Sequence, residues 1–69
     1  MDINTLIKSR REQLALSLRA VAGRCQVDPA YLSRVESGAT PPSDVLLGRL
    51  AEVLAVPVDE LLLLAGRVP

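Results

Sequence analysis

Residues that start and stop helices divide this 69-residue chain into five short segments, and their spacing limits what it can fold into. The clearest start is Asp28-Pro29, an acidic N-cap followed by proline at the first helical position. That segment ends at Ser37-Gly38, where glycine suits the conformation that closes a helix. No stretch alternates as a strand does, and Leu, Val and Ala dominate the apolar residues, with Tyr31 the one aromatic. The sequence therefore predicts an all-α protein.

The same signals set the bounds of five predicted helices and their inward faces. With their caps, the helices cover about 2–14 (or 4–14), 17–24, 28–37, 43–55 and 58–65. The predicted inward residues are Ile3, Ile7 and Leu14; Val21, Ala22 and Cys25; Leu32 and Val35; and Leu46, Leu47, Leu50, Ala51 and Leu54. Residues 39–42, Ala-Thr-Pro-Pro, are predicted as a loop. Residues 1–69 are predicted as one domain because the chain is too short for two.

The residue types argue against several classes of protein. Histidine is absent and Cys25 is the one cysteine, so a structural zinc site, an internal disulfide and a Ser-His-Asp triad all lack residues. There is no glycine-rich phosphate loop, and the adjacent Asp59 and Glu60 are interpreted as charges that complement a helix start. We therefore expect no enzymatic activity, metal or cofactor. The absence of a long apolar run or a signal-peptide pattern predicts a cytoplasmic protein without a membrane partner, its thiol reduced and buried.

The charges are unevenly distributed although the formal net charge is zero. Residues 1–34 carry six Lys and Arg against three Asp and Glu, a balance of +3. Residues 35–69 carry two against five, a balance of −3. Either the basic half faces phosphates, or the split is chance, because differences of this size are common in short chains.

Residues 17–37 have the spacing of a helix-turn-helix, with two short helices joined by a three-residue turn. The first helix presents Val21 and Ala22, and the second presents Leu32 and Val35, where two crossing helices must meet. A small residue such as Ala22 lets the helices approach closely. Val27 is predicted to fill the turn as an apolar plug.

At this point the sequence resembles the Cro/CI-type, or XRE-type, helix-turn-helix family over roughly residues 3–65. The resemblance rests on Ile7-x-x-x-Arg11, Leu16-Ser17, Val21-Ala22, Val27, the run from Tyr31 to Gly38, Pro41, Leu47-x-x-Leu50-Ala51-x-x-Leu54-x-Val56 and Asp59-Glu60-Leu61. It implies a compact five-helix lambda-repressor-like domain whose recognition helix, 28–36, lies in the major groove of a pseudo-palindromic operator. The implied function is sequence-specific binding of double-stranded DNA by a transcriptional regulator, with autoregulatory repression as its expected mode.

The resemblance also implies roles for individual residues. Arg11 and Glu36 match a structural ion pair. The implied DNA-binding residues are Leu18, Arg19, Asp28, Pro29, Ala30, Tyr31, Ser33, Arg34, Ser37, Gly38 and Thr40. Arg34 would read guanine, contact phosphate or pair with a neighbouring acid on the surface. Ser33 would bond a base or a phosphate, and Tyr31 would contact phosphate or pack between helices. Lys8 and Arg24 are interpreted as solvated surface charges.

The chain departs from the family pattern at three positions. Leu18 stands where the family often has glutamine, so a contact to DNA there falls to the backbone amide or is replaced by packing. Gln26 and Ala15 stand where glycine is usual, which predicts a positive φ and a strain of about 1 kcal/mol.

Four consecutive leucines in the last helix, residues 61–64, point all around it, and one bundle cannot bury them all. Leu63, Leu64 and Val68 are predicted to form a homodimer interface; alternatively, a longer native chain covers them. An alternative function is a protein-interaction module, such as an antitoxin-like domain, with a toxin or polymerase as its partner.

Overall fold

The computed structural model describes residues 2–67 and is built from five helices, with no strand in that range. The helices are α1 (Ile3–Gln13), α2 (Leu18–Cys25), α3 (Pro29–Ser37), α4 (Asp44–Leu54) and α5 (Val58–Leu64). The prediction of a compact five-helix all-α domain is confirmed, and the predicted bounds differ from the observed ones by one or two residues at the helix ends.

Side-chain caps start three of the helices at predicted residues. The Ser17 Oγ accepts a hydrogen bond from the Ala20 N–H at 3.0 Å, and the Asp28 Oδ1 accepts from the Ala30 N–H at 2.7 Å. Ser43 caps α4 in the same way, with 3.1 Å between its Oγ and the nitrogen of Leu46. Each cap satisfies a backbone donor that has no partner within the helix, so these positions fix where the helices begin.

The core is entirely apolar and centres on α4, which contacts α1, α2 and α5. Its buried residues are Ile7, Val21, Ala22, Cys25, Leu32, Val35, Leu46, Leu47, Leu50, Ala51, Leu54 and Leu61. The prediction that Leu14 faces inward is wrong, because α1 ends at Gln13 and Leu14 follows as its exposed C-cap.

Two arginines close helix ends that lie far away in the sequence. The Arg10 Nε donates to the Leu54 carbonyl at 2.8 Å, at the end of α4. The Arg49 Nη1 donates to the Cys25 carbonyl at 2.9 Å, at the end of α2. Carbonyls at a helix C-terminus lack helical partners and carry partial negative charge, so a cation is well placed there. Burial raises the pKa of the Cys25 thiol, while the positive charge of Arg49 opposes that shift.

Candidate nucleic-acid interface

The helices α2 and α3 form the helix-turn-helix and are held by buried apolar contacts. Val21, Ala22, Leu32 and Val35 are all buried between these helices and the rest of the bundle. Gln26 ends α2 with a φ of 59°, in the left-handed conformation. A positive φ is predicted here because glycine is usual at this position of the family. The turn between the two helices is closed by backbone hydrogen bonds, one of them from the Val27 N–H to the Ala22 carbonyl. The Val27 side chain is half-buried against the core, so α3 is held at a fixed orientation.

The outer face of α3 carries the predicted DNA-reading residues. Ala30, Ser33 and Arg34 are exposed, and Pro29 is half-buried at the start of the helix. Arg34 makes no ion pair among residues 2–67, so its guanidinium is available to an external acceptor. The Asp28 carboxylate instead caps the helix through the Ala30 N–H.

Arg11 and Glu36, the predicted pair, are joined by two hydrogen bonds. The Arg11 Nε donates to Glu36 Oε2 at 2.8 Å, and its Nη2 donates to Oε1 at 3.0 Å. The third donor, Nη1, reaches the Leu16 carbonyl at 3.0 Å. These contacts with Glu36 raise the pKa of Arg11. The fork geometry ties α1 to the end of α3 and thereby fixes the axial position of α3.

The loop after α3 uses three of its backbone amides to close the end of that helix. Gly38 has φ 83°, and its N–H donates to the Val35 carbonyl at 3.1 Å. The N–H groups of Ala39 and Thr40 both donate to the Arg34 carbonyl, at 2.9 and 3.3 Å. Any phosphate at this loop would therefore be bound by hydroxyl groups rather than by these amides.

Tyr31 and Leu18 both take part in packing. Tyr31 is half-buried against the core, and its hydroxyl accepts a hydrogen bond from the Ser43 N–H at 3.4 Å, which links α3 to the start of α4. Leu18 also packs against the core, so its side chain contributes apolar contact in place of the DNA contact that a glutamine would make. As the first residue of α2, it has an N–H without a helical acceptor.

The positive charges fall into two groups of equal size. Four of the eight cationic side chains donate to protein acceptors: Arg10, Arg11, Arg49 and Arg67. The other four, Lys8, Arg19, Arg24 and Arg34, form no ion pair among residues 2–67 and are exposed. These four are the charges that an anionic partner can reach.

Lys8 lies beside α3, which the sequence reasoning missed. It lines a groove together with Arg11, Leu18, Ser33, Glu36 and Ser37. The signal that could have found it is its position three residues before Arg11, because residues at that spacing share one helix face.

The predicted dimer residues have different surroundings. Leu63 is 63% exposed, whereas Leu64 is half-buried beside the loop between α3 and α4. Leu61 lies fully inside the core. Val68 lies outside the described residues. Within the described chain, Leu63 is therefore the leucine of this helix that presents most of its surface to solvent.

Comparison with known proteins agrees with this geometry. Residues 5–64 match the family described as a helix-turn-helix domain. Two uncharacterized HTH-type transcriptional regulators of Mycobacterium tuberculosis, from strains CDC 1551 and H37Rv, are each 40% identical over 62 residues, covering 90% of this chain and 44% of the relative. A solved chain from the SinR protein/SinI protein complex has a TM-score of 0.80 and 34% identity, covering 87% of this chain and 59% of that one.

The chain belongs to the helix-turn-helix domain family, as an XRE-type member. The family predicted from the sequence is thus confirmed. The chain spans less than half the length of the curated relatives it matches. The longest helices in the described part of the chain have 11 residues, too few to span a membrane.

Proposed function

We propose that this chain binds double-stranded DNA as a sequence-specific transcriptional regulator, with α3 in the major groove. The observation that carries the proposal is the division of α3 into two faces. Leu32 and Val35 are buried against the bundle, while Ala30, Ser33 and Arg34 are exposed. A recognition helix needs this division, because its inner face fixes it to the domain and its outer face reaches base edges. The relatives described as HTH-type transcriptional regulators support the same function.

Arg34 is the proposed base-reading residue, since its guanidinium is exposed and free of ion pairs among residues 2–67. Its fork fits the O6 and N7 atoms of guanine. Pro29 and Ala30 offer apolar contact to a thymine methyl group. The proposed phosphate contacts are Arg19, the Leu18 N–H, and the hydroxyl of Thr40 in the loop that follows α3.

Fluorescence anisotropy with two duplexes tests the proposal. One duplex comes from upstream of the gene for this chain, and the other is its scrambled counterpart. We expect preference for the upstream duplex and binding that weakens steeply with salt. Arg34→Ala should remove about 1–3 kcal/mol of discrimination, while the control Arg24→Ala keeps the preference. Absence of binding to either duplex at low salt would contradict the proposal.

The proposed regulator is a cytoplasmic homodimer that represses its own promoter. Its dimer interface includes Leu63 and Leu64 of α5, and support comes from the exposure of Leu63. A two-fold dimer would place two recognition helices about one DNA turn apart, so its operator would be pseudo-palindromic.

A protein-interaction module is the second candidate function, with a toxin-like protein or polymerase as partner. The exposed Leu63 favours it, as does the scarcity of polar residues on the outer face of α3, where Pro29 and Ala30 occupy reading positions. If the duplexes do not bind, the candidate predicts that a protein partner is captured through α5, and Leu63→Glu should abolish that capture.

A further inference from the structure

We infer that Lys8 is a DNA-phosphate ligand: the groove beside α3 holds one backbone phosphate, with the Lys8 ammonium and the Ser33 hydroxyl as donors. This inference rests on the proposed DNA binding and adds a cation from α1 to it. It also assigns Ser33 to the phosphate rather than to a base. From the sequence alone, Lys8 is interpreted as a solvated surface charge.

The groove is formed by side chains from three helices and has a volume of about 320 Å³. Lys8 and Arg11 come from α1, Leu18 comes from the start of α2, and Ser33, Glu36 and Ser37 come from α3. It therefore runs along the flank of α3, beside the face that carries Arg34. A duplex whose major groove received α3 would bring its sugar-phosphate backbone to this flank.

The charges that line the groove leave Lys8 as its one uncompensated ion. Both carboxylate oxygens of Glu36 accept hydrogen bonds from Arg11, so that pair contributes no net charge. Lys8 is exposed and has no ion pair among residues 2–67. The groove is thus positive by one charge, although it contains a carboxylate. An ammonium acts as a point charge on phosphate and needs no bidentate geometry.

The two hydroxyls in the groove are not equivalent. The Ser37 Oγ donates to the Arg34 carbonyl at 3.0 Å, so its proton is already used. The Ser33 hydroxyl has no hydrogen bond within residues 2–67 and is exposed in the same groove. Ser33 can therefore donate to an anion that Lys8 attracts.

The test compares Lys8→Ala with Arg24→Ala, which removes the same charge outside the groove. Binding of the upstream and scrambled duplexes is measured over a salt series. We expect Lys8→Ala to weaken both complexes by a similar factor, about threefold to tenfold, and to lower the slope of log K against log salt by about 0.9. Lys8→Arg should keep both, and Ser33→Ala should weaken binding without changing the slope.

The inference fails if Lys8→Ala leaves affinity and slope unchanged, or if Arg24→Ala lowers the slope equally. Thermal unfolding establishes that the variant is folded, and alanine at this exposed helical position is expected to preserve α1. Absence of duplex binding by the wild-type chain would defeat the proposed function itself. Wild-type binding with an unchanged Lys8→Ala variant would defeat only the role of Lys8.

Discussion

Among residues 2–67, three residues other than glycine have a backbone conformation that glycine adopts more easily. Ala15, Gln26 and Ala55 have φ of 56°, 59° and 55°, where a side chain is strained and glycine is not. Each follows a helix or ends one. The fold tolerates these strains because the adjoining helices are fixed by the core.

Replacing a strained alanine by glycine should therefore stabilise the domain. We expect Ala15→Gly and Ala55→Gly each to raise the free energy of unfolding by about 0.5–1 kcal/mol, since relief of strain exceeds the added unfolded-state entropy. Ala20→Gly, inside α2, is the matched control and should lower it by a similar amount. Urea unfolding measures all three. Equal destabilisation in the three variants would contradict the positive φ at residues 15 and 55.

At the scale of the helices, the C-terminal ends of α2 and α4 are closed by arginines from other helices. Arg49 of α4 binds the last carbonyl of α2, and Arg10 of α1 binds the last carbonyl of α4. A third arginine, Arg67, follows α5 and contacts the start of α4. The Arg67 Nη2 donates to the Pro42 carbonyl at 2.9 Å, and its Nε lies 2.6 Å from Asp44 Oδ1. Arg67 is thereby tied to the end of the loop between α3 and α4 and to the first residue of α4.

Substitution of Arg49 should lower the free energy of unfolding more than substitution of the exposed Arg24. Arg49→Met keeps the apolar stem but leaves the Cys25 carbonyl without its donor, so we expect about 1–2 kcal/mol less stability. In a domain of this size that lowers Tm by roughly 4–15 °C. Arg24→Met is the control and should change Tm by much less. Identical melting of the two variants would show that the carbonyl bond contributes nothing.

Across the whole molecule, internal bonds decide which positive charges remain at the surface. The +3 balance of residues 1–34 did not identify the basic surface, because Arg10 and Arg11 are used in internal bonds. The exposed cations that remain for the proposed DNA contacts are Lys8, Arg19 and Arg34, while Arg24 is exposed outside the groove that Lys8 lines. Zero net charge is therefore compatible with DNA binding.

Oligomeric state tests the proposed dimer at this scale. We expect the wild-type chain to sediment as a dimer and Leu63→Glu to sediment as a monomer, because a carboxylate would be buried in the interface. Val45→Glu is a matched control, since Val45 on α4 and Leu63 on α5 have the same exposure of 63%. The control should remain dimeric. A monomeric wild-type chain, or equal behaviour of both variants, would place the interface elsewhere or remove it.

The sequence by itself determined the five helices, most of the core and the family. These follow from local rules, since caps act over two or three residues and the 3.6-residue period marks the inward face. Ser17, Asp28 and Ser43 could be identified as caps without a structure. The resemblance to the family also predicted the pairing of Arg11 with Glu36. No local sequence pattern could have predicted a contact between residues 25 positions apart.

Only the tertiary structure decided what the remaining charges contact. Arg10 meets a carbonyl 44 positions away and Arg49 one that is 24 away, and no local pattern encodes such distances. Leu14 shows the same limit, since its helical spacing predicted burial but the helix ends one residue earlier. Lys8 was likewise placed beside α3 by the packing of α1. Long side chains at helix surfaces reach whichever acceptor the fold brings near, so their partners are set by packing and not by sequence neighbours.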